Sequence, residues 1–173
     1  MVQDRGLNAV SFQQLADAVG LSKPSVFHHF PNKEALALAL IERWSTKYGD
    51  RYQELISRQI SAPEKLRAVA AMYQADLLEG RLCLLASLGS SVETLSDGAK
   101  EALSLTTRAA IDQFAQIFAQ GRRRSTLAFE DSPEEAAMGF LAMVQGLQVL
   151  VRAKGDYGAF SRASSAYIES LRV

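Results

Sequence analysis

Between Val10 and Leu40 the chain reads VSFQQLADAVGLSKPSVFHHFPNKEALALAL, and no other stretch packs so many helix starts and stops into so few residues. Ser11 is placed to cap a helix beginning at Ser11 or Phe12, and Gln14, three residues on, can return a hydrogen bond to the cap's own N–H. Val10 and Leu15 flank that start as an apolar staple. Leu15, Ala16 and Val19 recur at helical spacing, and Gly20 supplies the left-handed conformation that ends the helix. A second helix opens at once. Ser22 caps it, Pro24 sits in its first turn where a missing N–H costs little, and Val26, Phe27 and Phe30 form its buried side. The spacing of a small residue at Ala16, a turn glycine at Gly20 and an apolar lock at Val26 is that of a helix-turn-helix.

The segment Ser22 to Leu36, SKPSVFHHFPNKEAL, resembles the pattern SKxxxYxHFxxKxxL of the TetR family of bacterial transcription regulators. That resemblance implies a DNA-binding head whose second helix enters the major groove, a larger helical body that binds a small molecule, and a homodimer formed by the last two helices. On the matching positions it implies DNA contacts from Ser11, Ser22, Lys23, Pro24, Ser25, Phe27, His28 and Lys33, with Lys23, Pro24 and Ser25 in the first turn of the recognition helix. Two departures stand out. Phe27 replaces the usual Tyr and lacks the hydroxyl that would bond a phosphate. Only MVQDRG precedes Leu7 where the family has a full amphipathic helix. Leu15, Val19, Phe27 and Phe30 need such cover, so the expectation is a first helix lying upstream of Met1 or lost from this copy, the head being loosened in the second case.

Charge leaves these readings to local distribution. Lys plus Arg and Asp plus Glu are both 19 among 173 residues, so the whole chain carries no basic excess. Ser22 to Lys33, however, holds two lysines, two histidines and no acid, which suits a surface facing phosphates. His28 and His29 differ by about 100° around a helix, so only one can face a groove; the resemblance assigns that role to His28. With no further histidine and one distant cysteine, no metal site is read. A single cysteine also excludes an internal disulfide and fits a reducing cytosol. No leader pattern opens the chain and no apolar run is seen to approach the roughly 18 residues of a membrane span, so the protein is read as cytoplasmic with no membrane partner.

Helical periodicity continues to the end of the chain, and the fold class is all-α. Asn32 caps a helix that carries Leu36, Leu40, Ile41 and Trp44 and ends about Tyr48, with Gly49 the first stop; a weaker amphipathic segment follows through Leu55 and Ile60. This places a head at residues 1–48 and a ligand-binding and dimerisation domain at 49–173. Pro63 and Glu64 start a helix through Leu66, Val69, Ala70, Tyr73 and Leu77 that breaks at Gly80. Leu82 to Leu88 reads as a short buried helix ended by Gly89 and Ser90. A long helix runs from Ser96 or Asp97 to Gly121 and the Arg122–Arg124 triplet, whose cations suit a solvated helix end. Ser132, Pro133 and Glu135 open another, apolar around most of its circumference. One of its faces needs a cover other than its own core, and a second copy of the chain supplies one; Gly139 and Gly146 packing tightly within one subunit is the alternative. The last helix covers about 157–171, with Phe160, Ala163, Tyr167 and Leu171 at three- and four-residue steps.

An effector pocket follows from the resemblance alone. Its lining candidates are Met72, Tyr73, Leu84, Leu88, Phe114, Ile117, Phe118, Leu141 and Gln145, a set suited to an apolar or aromatic small molecule. Cys83, in an apolar run, reads as a buried inert thiol, with electrophile or oxidant sensing as the alternative known within the broader family. No paired carboxylates, nucleophile elbow, metal cluster or cofactor loop is present, so no enzymatic reaction and no cofactor are assigned. The expected function is a ligand-responsive transcriptional regulator, a repressor released from a palindromic DNA operator by a small molecule. The competing reading is a dimeric helical ligand-binding or protein-interaction module that has lost DNA binding.

Overall fold

A computed structural model describes all 173 residues, and every regular element in it is helical. A single turn, α1 (Val2–Arg5), precedes the two helices of the motif, α2 (Phe12–Val19) and α3 (Lys23–His29). Next come α4 (Lys33–Ser57), α5 (Ala62–Leu78), the short α6 (Leu84–Gly89), a 3-10 turn at Val92–Thr94, α7 (Asp97–Arg123), α8 (Pro133–Lys154) and α9 (Gly158–Ser170). The starts are set by side-chain caps at Ser11, Ser22, Asn32, Ser61, Ser96 and Ser132, each accepting the N–H three residues on.

Two boundaries and one helix face differ from the sequence expectation. The helix expected to stop about Tyr48 continues through Gly49 to Ser57, so the head–body division at 48 falls inside one continuous helix. Tyr48, Tyr52, Leu55 and Ile56 are all buried, and that unbroken apolar face outweighs the glycine. The helix expected over Leu82–Leu88 starts only at Leu84, because Leu82 and the N–H of Cys83 are bonded elsewhere, to Gln3 and Gln148. In α9 the buried residues are Phe160, Ser164 and Ile168, and Ala163 faces out.

The body packs α7 against α4 and α8, with α5 and α9 closing the other side. Aromatic rings run through its centre. Trp44 stacks on Tyr48 at 4.9 Å, Tyr52 meets Phe114 edge-on at 4.8 Å, and Phe114 and Phe118 both pack against Phe140 at 5.9 and 6.2 Å. Each such buried ring contributes about 1.5–3 kcal/mol by leaving water. The series joins the head-bearing α4 to α7 and α8.

By length and composition α8 is apolar enough to cross a membrane, with a mean hydropathy of 1.4 over 18 residues, which overturns the expectation that no run comes near that length. Within the fold it is a core helix on one side, burying Ala137, Phe140, Leu141, Val144, Gln148 and Val151. Its other side leaves Met138, Ala142, Val149, Leu150 and Ala153 exposed.

Candidate nucleic-acid interface and effector region

The head is built from locally determined turns. Ser11 Oγ accepts the Gln14 N–H at 3.2 Å while Gln14 Oε1 accepts the Ser11 N–H at 2.8 Å. Gly20, at φ 67°, turns the chain, and its N–H closes on the carbonyls of Ala16 and Asp17. Ala16, fully buried, and Val26 lock the crossing of α2 and α3. Ser22 Oγ accepts the Ser25 N–H at 3.2 Å and lies 2.7 Å from Ser25 Oγ, so both hydroxyls serve the first turn of α3.

That first turn is presented to solvent. Ser22, Lys23 and Pro24 are exposed and Ser25 is half-buried. Beside it lies a cleft of about 350 Å³ that brings together Ser11, Lys23, Phe27 and Lys33 with Phe12, Gln13 and Gln14. Phe27 packs on Phe12 with ring centroids 4.6 Å apart, and the Lys23 ammonium lies 5.8 Å from the Phe27 ring. Lys33 donates to the Asn8 carbonyl at 3.0 Å, which anchors its stem over the cleft. No carboxylate lines this cleft. His28 and His29 are both exposed; their rings lie edge-on at 5.6 Å, and His29 also lies 6.5 Å from the Phe30 ring. Val19 is largely uncovered (63% exposed) and Phe27 partly so (39%), while Leu15 and Phe30 are half-buried.

The candidate effector residues lie in the middle of the body. Tyr73, Leu84, Leu88, Phe114, Ile117, Phe118 and Leu141 are buried, with Met72 and Gln145 half-buried beside them. They pack as core; of the nine, only Leu84 reaches one of the principal clefts, a groove of about 380 Å³ shared with Trp44 and Tyr48. A polar chain threads this core. Gln148 Oε1 accepts the Cys83 N–H and its Nε2 donates to the Tyr73 carbonyl, both at 2.8 Å, while Gln145 Nε2 donates to Cys83 Sγ at 3.4 Å. Burial pushes both the Cys83 thiol and the Tyr73 phenol up, so each is held neutral.

Residues 1–40 match the family model described as bacterial regulatory proteins of the tetR family. The HTH-type transcriptional repressor NemR of Escherichia coli (strain K12) is 26% identical over 165 residues, covering 92% of this chain and 82% of NemR. A TetR-family transcriptional regulator from Agrobacterium tumefaciens superposes with a TM-score of 0.92 at 22% identity, over 99% of this chain and 92% of that one. Its first 40 residues thus match the TetR family, and its whole length is similar to regulators of that family. Another TetR-like fold is that of AibR, solved in complex with isovaleryl coenzyme A and operator DNA, with a TM-score of 0.72 at 19% identity over 99% of this chain and 91% of AibR.

Two residues of the body escaped the sequence reading. Gln148 is 1% exposed and is the hub of the polar chain. Its only signal was position: it falls on the apolar stripe of Val144 and Val151, where a polar side chain must find partners. Lys65 is 2% exposed, and nothing in its sequence context marks it as buried.

Proposed function

We propose that this chain is a ligand-responsive DNA-binding transcriptional regulator that works as a homodimer, a repressor released from a palindromic operator when a small molecule binds the body. The carrying observation is the acid-free cleft that joins Ser11, Lys23, Phe27 and Lys33 at the exposed first turn of α3. Helix N-termini and lysines there meet phosphates, while Lys23, Pro24 and Ser25 reach base edges from the start of the recognition helix. Ser11, Ser22 and His28 flank the same surface. Phe27 contributes ring packing in place of a hydroxyl contact.

Dimerisation follows from the exposed side of α8. Met138, Ala142, Val149, Leu150 and Ala153 lie at three- and four-residue steps around Gly146, where an added Cβ would meet nothing within 4 Å in the same subunit. At Gly139 the nearest atom would be the Tyr167 hydroxyl at 3.6 Å. Tight packing within one subunit therefore does not account for Gly146, whereas a second copy laid on this stripe would use it. Two heads would then read two half-sites.

Release requires a difference in affinity between two states of the body. An apolar or aromatic effector entering among Met72, Tyr73, Leu88, Phe118 and Leu141 must part core side chains, and the ring series to α4 converts that opening into a shift of the heads. AibR is a relative in fold that carries both an acyl coenzyme A and DNA. The setting is the cytoplasm. Gel shift with the DNA upstream of the protein's own gene tests the assignment: a sharp retarded band from the native chain supports it. No retardation, with an intact dimer by light scattering, would favour a helical module that has lost DNA binding.

A further inference from the structure

Lys65 is a buried cation without a counter-ion. Its ammonium donates to the Ile56 carbonyl at the end of α4 (2.5 Å) and to Gln120 Oε1 on α7 (2.7 Å). Both acceptors are neutral, and the third N–H of the ammonium has no partner in the chain. None of the nine ion pairs of the molecule includes Lys65, Arg123 or Arg124. These residues come together with Arg58, Gln53 and Gln120 in the wall of a cleft of about 390 Å³ that contains no carboxylate. Burial lowers the Lys65 pKa, with the Arg124 charge a further cause.

Charges at helix C-termini are the ordinary explanation, and α4 and α7 do end here, at Arg58 and Arg124. Each helix end offers about half a negative charge. Glu54, 2.6 Å from Arg58, offsets one cation more. Against four cations this leaves a surplus of about two positive charges around an open cleft whose one buried cation is Lys65 at its floor.

We propose that this cleft is a binding site for a small, multiply charged anion bearing phosphate or carboxylate groups. The two guanidinium forks of Arg123 and Arg124 suit bidentate pairing with such oxygens, and the Lys65 ammonium supplies a fixed charge at the floor. The site is distinct from the DNA surface: α4 spans 25 residues, so the cleft lies roughly 37 Å along that helix from the head. It also holds independently of the DNA-binding assignment, since its occupant is a solute rather than an operator. An anion there would tie the ends of α4, α5 and α7 together, at the body end of the helix that carries the head.

Calorimetric titration of the full chain with sodium pyrophosphate and, separately, with citrate, at ionic strength held constant with sodium chloride, tests the site. The expected result is saturable binding of one anion per chain for at least one probe. The double variant Arg123→Gln, Arg124→Gln should weaken that binding about tenfold or more, whereas Arg43→Gln, Lys47→Gln should leave it unchanged. Pyrophosphate binding alone assigns the site to phosphates, citrate binding alone to carboxylates, and binding of both to charge. Both arginines are exposed, so circular dichroism of the variant should match the native chain. No saturable binding of either anion, or equal binding by the double variant, would overturn the proposal.

Discussion

Cys83 shows how a residue's surroundings decide its chemistry. It is 4% exposed, its sulfur accepts from Gln145, and burial raises the thiol pKa so that little thiolate forms near neutral pH. The native thiol should therefore react with a neutral-pH maleimide or disulfide reagent at least about a hundredfold more slowly than the same thiol in denaturant; comparable rates would mean that the core opens readily around it. Residues whose role is local were legible in sequence. Ser11, Ser22, Asn32 and Ser132 bond the N–H three positions on, a relation contained in a single turn. Lys65 and Gln148 were not legible, because their meaning comes from Gln120, Ile56, Tyr73 and Cys83, on other elements that only tertiary packing brings near.

At the scale of elements, two glycines within helices have opposite roles. A Cβ at Gly49 would meet nothing within 4 Å, whereas one at Gly121 would fall 2.5 Å from Leu127 Cδ1 and 2.9 Å from the Cβ of Ala62. Gly49→Ala should stabilise the protein by about 0.5–1 kcal/mol through helix propensity and the unfolded chain. Gly121→Ala gains the same propensity yet overpacks α7 against α5, a cost of about 1–3 kcal/mol, and should be a net loss. Chemical denaturation of both variants checks the pair. Sequence alone marks either glycine as a stop, and only the neighbour's approach separates them.

Capping boxes make a second element-scale prediction. Glu64 and Glu135 are held below the ordinary carboxyl pKa of 4.5 by hydrogen bonds from the Ser61 and Ser132 side chains first, and from their backbone N–H groups next. A depressed folded pKa contributes stability that is present above 4.5 and is lost as pH falls through the depressed values. The Tm advantage of the native chain over Glu64→Gln, Glu135→Gln should accordingly hold from pH 7 to about 5 and close below 4.5. A gap that persists unchanged to pH 3 would refute this cause.

At the scale of the molecule, the head and body are tied in two places. Besides the continuous α4, the segment before α2 reaches the body: Gln3 exchanges hydrogen bonds with Leu82, Asp4 pairs with Arg152 on α8, and Asn8 donates to Thr94 at 2.8 Å. A motion of α6 or α8 thus has a direct path to the head, alongside the ring series through α4. The all-helical class and the two-part plan were legible because periodicity and caps recur throughout the chain. The packing of the candidate effector residues was not: the same apolar spacing serves a filled core and a pocket, and the difference lies in how neighbouring helices approach. If the exposed α8 stripe is a subunit interface, Leu150→Glu places a charge at its centre and should yield a monomer by light scattering, with helix content unchanged.

The central claim, that the surface around the first turn of α3 holds duplex DNA, is tested most directly by the salt dependence of operator binding. Fluorescence anisotropy with DNA from upstream of the gene should give a linear fall of log K with log salt, and Lys33→Gln should reduce the slope by about one for the lost phosphate contact. Lys23→Ala should weaken binding by about 1–3 kcal/mol while leaving the dimer and helix content intact. Unchanged affinity and slope in both variants would contradict the claim.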